Sequence, residues 1–185
     1  MIESVRTDGY ITVEQYLESE KHSEARHEYF DGLVWAMSGA SEDHELVANN
    51  LLVAIHAHLR GKPCRVFKDG MKVRLRVKDR DLFYHPGILI ACDPAGANRY
   101  YREQARLIIE VLSSDEHKDL VEKYLAYQTI PTLEEYVVIS QDPRDQMVRV
   151  FRRANDWALG EIHRDGEFSL ESIGLTLTVA DLYAA

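Results

Sequence analysis

The chain has 185 residues, 45% of them apolar and 29% charged, with a net charge of −9. That length fits one domain with a substantial core, and the composition excludes a disordered chain. The acidic balance argues against a globally basic nucleic-acid binder, although charge can be local.

No apolar run approaches the roughly 18 residues of a membrane span. Met1-Ile2-Glu3-Ser4 opens without the basic patch and apolar stretch of a signal peptide. Two cysteines, Cys64 and Cys92, are too few for a disulfide framework or a Cys-rich zinc site. Their apolar neighbours make them read as buried free thiols in a reducing compartment, and the protein as cytoplasmic.

In chain order, Thr12-Val13-Glu14-Gln15 has capping-box form and predicts a short helix through about Ser19. His27 to Phe30 and Leu33 to Met37 flank Asp31-Gly32, a dipeptide suited to a tight hairpin turn. Ser41-Glu42-Asp43 opens a second helix, in which Ala48, Leu51, Leu52, Ile55 and Leu59 recur at helical spacing until Gly61. The period then changes to two. Arg65 to Phe67, Lys72 to Val77, Ile88 to Cys92 and Leu107 to Leu112 read as strands, the last two aliphatic enough to be central and covered on both faces.

Ser113-Ser114-Asp115-Glu116 predicts a helix to about Gln128. Glu135 to Ile139 and Met147 to Arg153 are strands joined by a Gln-Asp-Pro-Arg turn, and short strands with a final turn follow Trp157. No repeat, linker or domain boundary interrupts residues 1–185. The order predicts a single mixed α/β or α+β domain on a central sheet.

Charge is concentrated in one window. Residues 60–81 hold nine basic and three acidic residues, a local +6 that leaves −15 for the rest. Lys72, Arg74, Arg76 and Lys78 alternate with Val73, Leu75 and Val77, which on a strand puts four cations on one face. That face reads either as a phosphate-tracking stripe or as a solvated strand protected against edge pairing.

Glu110 interrupts Leu107-Ile108-Ile109-Glu110-Val111-Leu112. A carboxylate in such a strand is costly to bury without a metal or partner. It reads as a candidate metal ligand for phosphodiester hydrolysis, or as half of an ion pair with an arginine at the sheet end.

Around Glu110 the sequence resembles the Uma2 family, a group of predicted bacterial endonucleases of the PD-(D/E)XK superfamily abundant in cyanobacteria. The resemblance runs through Arg26-His27-Glu28-Tyr29-Phe30-Asp31-Gly32, Met37-Ser38-Gly39-Ala40-Ser41 with His44, and Cys64-Arg65-Val66-Phe67. It continues through Met71-Lys72-Val73-Arg74, Tyr84-His85-Pro86-Gly87, Ile109-Glu110-Val111-Leu112-Ser113, Asp119 with Lys123 and Tyr127, and Pro131-Thr132-Leu133-Glu134-Glu135-Tyr136. It implies a restriction-endonuclease-like core, a central mixed sheet flanked by helices with an N-terminal hairpin and added C-terminal strands. It also implies a metal-dependent DNA endonuclease using Mg²⁺ or Mn²⁺. Glu110 matches the second acidic position. Leu112 stands where the superfamily usually has lysine, and Lys123 matches a lysine moved to the following helix, where it would hold or activate the attacking water. By itself, Lys123 also reads as an i,i+4 partner of Asp119.

One departure bears on activity. The family's Pro-Asp is Pro86-Gly87 here, and glycine offers no side-chain oxygen to a metal. Asp81 and Asp93 lie six residues to either side, about 20 Å along an extended strand. Asp93-Pro94 reads as a turn. Glu28 reads as a metal-site acid or as an arginine partner, and His44 as a cleft residue near the substrate or as a helix cap. His56-Ala57-His58 is no metal pair, because i,i+2 residues on a helix point apart. The expected function is therefore an impaired or inactive nuclease acting on DNA. A non-catalytic nucleic-acid-binding or regulatory module that keeps the fold is the alternative, and a structural or interaction protein is a third. A homodimer is the default expectation.

Overall fold

A computed structural model describes residues 9–92, 98–112 and 118–184. The chain begins with helix α1 (Val13–Glu20), whose capping box forms as the sequence predicts, with Thr12 and Gln15 exchanging side-chain and backbone bonds. Strands β1 (His27–Phe30) and β2 (Leu33–Ala36) form a hairpin turning at Asp31 and Gly32, both at positive φ. Helix α2 (Glu42–Leu59) starts at Ser41, whose hydroxyl accepts from the His44 backbone N–H.

Strands β3 (Arg65–Lys68), β4 (Lys72–Val77), β5 (Arg80–Tyr84) and β6 (Ile88–Ala91) follow, then β7 (Tyr101–Arg102) and β8 (Leu107–Val111). A π-helical turn (Lys118–Lys123) runs into α3 (Tyr124–Tyr127). Then come β9 (Glu135–Ile139), β10 (Val148–Arg152), β11 (Glu161–His163), β12 (Glu167–Leu170), β13 (Leu175–Thr178) and α4 (Val179–Leu182).

One sheet has the order β2-β1-β5-β4-β7, a second β11-β10-β9-β8-β6-β3, and β12 pairs with β13. Both sheets are mixed, since β4 and β7 run parallel, as do β8 and β9. The predicted mixed architecture is therefore present. On one face of the second sheet, Ile88, Ile90, Leu107, Ile109, Val137 and Ile139 pack against Val47, Leu51 and Ile55 of α2. On the other face, Leu89, Ile108, Tyr136 and Val138 pack against Val73, Leu75, Leu82 and Tyr84 of the first sheet, together with Tyr127. β6 and β8 are buried along their whole length, as their aliphatic runs require. None of the described helices is long and apolar enough to cross a membrane.

Three expectations change. Arg80–Tyr84 is a strand that the polar Arg80-Asp81 conceals; it returns from β4 through Lys78 and Asp79, both at positive φ as a tight hairpin demands. The expected single helix after Glu110 is a π turn followed by one short α turn, and its Ser113-to-Glu116 cap lies outside the described residues, as does Asp93-Pro94.

The third change concerns the cysteines. Cys64 and Cys92 are joined in a disulfide, not free. They stand one step beyond the last pair of the β3–β6 ladder, Arg65 with Ala91, so register alone brings them face to face. Apolar neighbours signalled burial correctly but carry no information about a partner on another strand. The reducing-compartment argument drawn from free thiols falls with it.

Candidate active site

β8 places alternate side chains on opposite faces of its sheet. Ile109 points to α2, so Glu110 points into the space between the two sheets, where it is buried. Tyr127, one turn into α3, donates its hydroxyl to Glu110 Oε1 at 2.9 Å. The Gly87 backbone N–H donates to Glu110 Oε2 at 3.0 Å. Burial, followed by the charge of Glu110 and by Tyr136, pushes the Tyr127 hydroxyl well above its ordinary pKa, so it remains a donor.

β1 of the first sheet supplies Glu28, also buried and on the same inner side as Phe30. Lys123, the last residue of the π turn, lies between the two acids. Its Nζ is 3.2 Å from Glu110 Oε1 and 3.4 Å from Glu28 Oε1, and 6.0 Å from the centre of the Tyr84 ring. The Tyr84 hydroxyl in turn donates to Glu122 Oε1 at 2.7 Å. π turns occur often at functional sites, and here the turn is what aims Lys123 inward. The side chain of Asp119, the candidate helix partner of Lys123, lies outside the described residues.

Gly87 sits one residue beyond the ladder pair of Ile88 with Ile109. A Cβ there would stand 3.6 Å from Glu110 Oε2 and 3.2 Å from the Ile109 carbonyl. An acidic side chain at position 87 would therefore share its space with Glu110.

A family model described as "Putative restriction endonuclease", Uma2, matches residues 13–180. The chain belongs to the Uma2 family. Two uncharacterized proteins of Synechocystis sp. are similar to it: one is 27% identical over 94% of this chain and 91% of its own length, the other 26% identical over 74% and 78%. A solved structure from Anabaena variabilis, described as a putative nuclease belonging to DUF820, shares the fold with a TM-score of 0.67 at 17% identity. It covers 87% of this chain and 91% of that one.

Within this Uma2 chain the structure gathers Glu110, Lys123, Glu28 and Gly87, four residues singled out in the sequence. The cation facing both acids is Lys123. His44 lies at the start of α2, where its backbone N–H is capped by Ser41 while the buried ring Nδ1 has no hydrogen-bond partner.

The four cations expected on one strand face do not form one open row, and Lys78 lies beyond β4, in the turn to β5 at positive φ. Lys72 is buried, 3.5 Å from Glu20 of α1, which packs across that face. Arg74 donates from Nε to Asp81 at 3.0 Å, also faces Glu103, and lies against the Phe83 and Tyr101 rings. Arg76 and Lys78 are exposed. Nor is β4 an edge, since it lies between β5 and β7.

Sequence reading did not single out Glu20. It faces His27 Nδ1 at 2.8 Å, Lys72 at 3.5 Å and His85 Nε2 at 3.8 Å. A helix-terminal glutamate after an amphipathic turn carries no sequence signal that it will turn inward.

The family implies a divalent metal, and the donors present do not fit one. A hard divalent cation wants about six oxygens, several from carboxylates. Here position 87 offers none, both Glu110 oxygens already accept from protein donors, and an ammonium stands between the two acids. Among the described residues no three His, Cys, Asp or Glu side chains are arranged to hold a metal ion.

Proposed function

We propose that this protein is a Uma2-type DNA endonuclease whose phosphodiester-hydrolysing centre is impaired at Gly87. The observation that carries the reading is the position of that glycine. It faces Glu110 so closely that a carboxylate there would complete an acidic pair, and glycine cannot.

The chain's own residues retain the rest of the arrangement. Tyr127 and the Gly87 N–H fix the orientation of Glu110, and Glu28 supplies a second acid from the other sheet. Lys123 places a cation where it would orient a water or balance charge on a phosphate. Arg76, near the end of β4, and Lys78, in the turn after it, are the cations of this stretch left exposed to meet a nucleic-acid backbone, and His44, at the start of α2, is the remaining candidate for substrate contact.

The test is plasmid nicking with Mg²⁺ and Mn²⁺ by the natural chain, by Gly87→Asp, and by Gly87→Asp with Glu110→Ala. Cutting by Gly87→Asp that disappears without Glu110 supports the reading. No cutting by any of the three refutes it and leaves a non-catalytic nucleic-acid-binding module as the better account. Salt-dependent DNA binding weakened by Arg76→Ala would then identify that module.

A further inference from the structure

We propose that Lys123 is the resident cation of this site, standing between Glu28 and Glu110 in place of a metal ion and keeping divalent cations out. The inference rests on the reading of this cleft as a former or weakened hydrolytic centre, and starts from the misfit between its donors and a metal.

Three observations place Lys123 in that role. Its ammonium bridges two carboxylates that arrive from different sheets, at 3.2 Å and 3.4 Å. It is buried, with 6% of its surface exposed, so its charge is weakly screened by water and its position is set by the surrounding protein. The oxygens it leaves on Glu110 are already committed, Oε2 to the Gly87 N–H and Oε1 to the Tyr127 hydroxyl as well as to Lys123.

Charge bears on the same point: the Lys123 ammonium offsets part of the attraction that Glu28 and Glu110 exert on a cation, and it repels a divalent ion entering beside Nζ at close range. A third carboxylate at position 87 would change that balance. With glycine there, nothing at position 87 competes for the ammonium. Lys123 thereby acts as a positioning residue that ties the π turn to both sheets, and the centre holds together without metal.

The experiment is titration with Mn²⁺, read by the paramagnetic resonance of the free ion and by thermal unfolding with and without Mn²⁺. The proteins are the natural chain, Lys123→Met, Lys123→Arg, and Lys123→Met with Glu110→Gln. Lys123→Met should bind Mn²⁺ at least about tenfold more tightly than the natural chain and gain thermal stability from it, as removal of a neighbouring like charge predicts. Glu110→Gln should abolish that gain, and Lys123→Arg should behave like the natural chain.

Equal Mn²⁺ affinity in the natural chain and Lys123→Met overturns the proposal, whether both bind or neither does. So does a gain that survives Glu110→Gln. Should Lys123→Met not fold in EDTA, refolding in Mn²⁺ becomes the readout: recovery supports the proposal and failure overturns it. Nicking by Gly87→Asp is scored separately, so loss of the nuclease reading and loss of the cation assignment give different results.

Discussion

Replacing Gly87 by aspartate should destabilise the metal-free protein, and the structure gives the size of the effect. A Cβ at position 87 lies 3.6 Å from Glu110 Oε2, which puts an aspartate carboxylate about 4 Å from that of Glu110. Two like charges at that distance, at an effective dielectric constant of about 20, repel by about 4 kcal/mol. Attraction of the new carboxylate to Lys123, whose Nζ lies beside Glu110, offsets part of this and leaves a net cost of about 2 kcal/mol. Contact of the new Cβ with the Ile109 carbonyl at 3.2 Å adds a steric cost, but Gly87→Asn carries the same cost without the charge. The comparison is therefore between these two variants. Urea unfolding in EDTA at neutral pH should place Gly87→Asp about 2 kcal/mol below Gly87→Asn, equivalent to roughly 4–8 °C in a chain of this size. Millimolar Mg²⁺ should close the gap for the aspartate variant alone. Equal stability of the two variants in EDTA would show that positions 87 and 110 do not share one space, and the reasoning for a missing carboxylate would fail with it.

Other expectations follow from the packing around this site. Reduction of Cys64–Cys92, or Cys64→Ser with Cys92→Ser, should cost about 3.5 kcal/mol from the 28-residue separation, lowering the melting temperature by roughly 10 °C. Mass spectrometry after alkylation of the unreduced protein should count no free thiol, and a count of two would refute the bridge. Glu135 is buried and accepts from Arg152 Nε, the Glu171 and Ser172 backbone N–H groups and the Ser172 hydroxyl. Glu135→Gln should therefore cost about 2 kcal/mol in urea unfolding, because it weakens these charge-assisted bonds while Arg152 keeps Glu161 and Glu171 as partners. Burial pushes the Glu20 carboxyl up, but the neighbouring His85 ring at 3.8 Å, the hydrogen-bonded His27 and the charge of Lys72 outweigh it and bring the pKa down to about 2. A depressed folded-state pKa contributes stability that is present above the ordinary carboxyl value and lost as pH falls towards 2. Glu20→Gln should flatten the stability profile between about pH 4.5 and 2, and an unchanged slope would refute Glu20 as its source.

What was legible in the sequence follows from which interactions are local. Caps and turns are local: Thr12 with Gln15, Ser41 with His44, and Asp31-Gly32 form as their spacing predicts. The central strands were legible for a different reason, since a continuous aliphatic run has few alternatives to burial on both faces. Arg80–Tyr84 was hidden because its first two residues are polar and its turn uses non-glycine residues at positive φ, a cost that the hairpin compensates through pairing.

The site divides along the same line. Glu110 was visible as a charge in an apolar strand, whereas its relation to Glu28 depends on two sheets meeting, and 82 residues separate the two acids. The β4 alternation identified which cations share a face but not that α1 would cover one end of it with Glu20. Alternation specifies a direction; only tertiary packing determines whether water or a carboxylate lies there. The same logic explains Lys123. Helical periodicity alone points Lys123 at Asp119 and carries no signal of a site on another sheet. The π turn ends by carrying it into the cleft, where a buried ammonium needs negative partners and meets Glu28 and Glu110. That requirement is mutual: Glu28 and Glu110 need a cation as much as Lys123 needs them. In a chain with glycine at position 87, an ammonium delivered by the fold meets that need without an external ion.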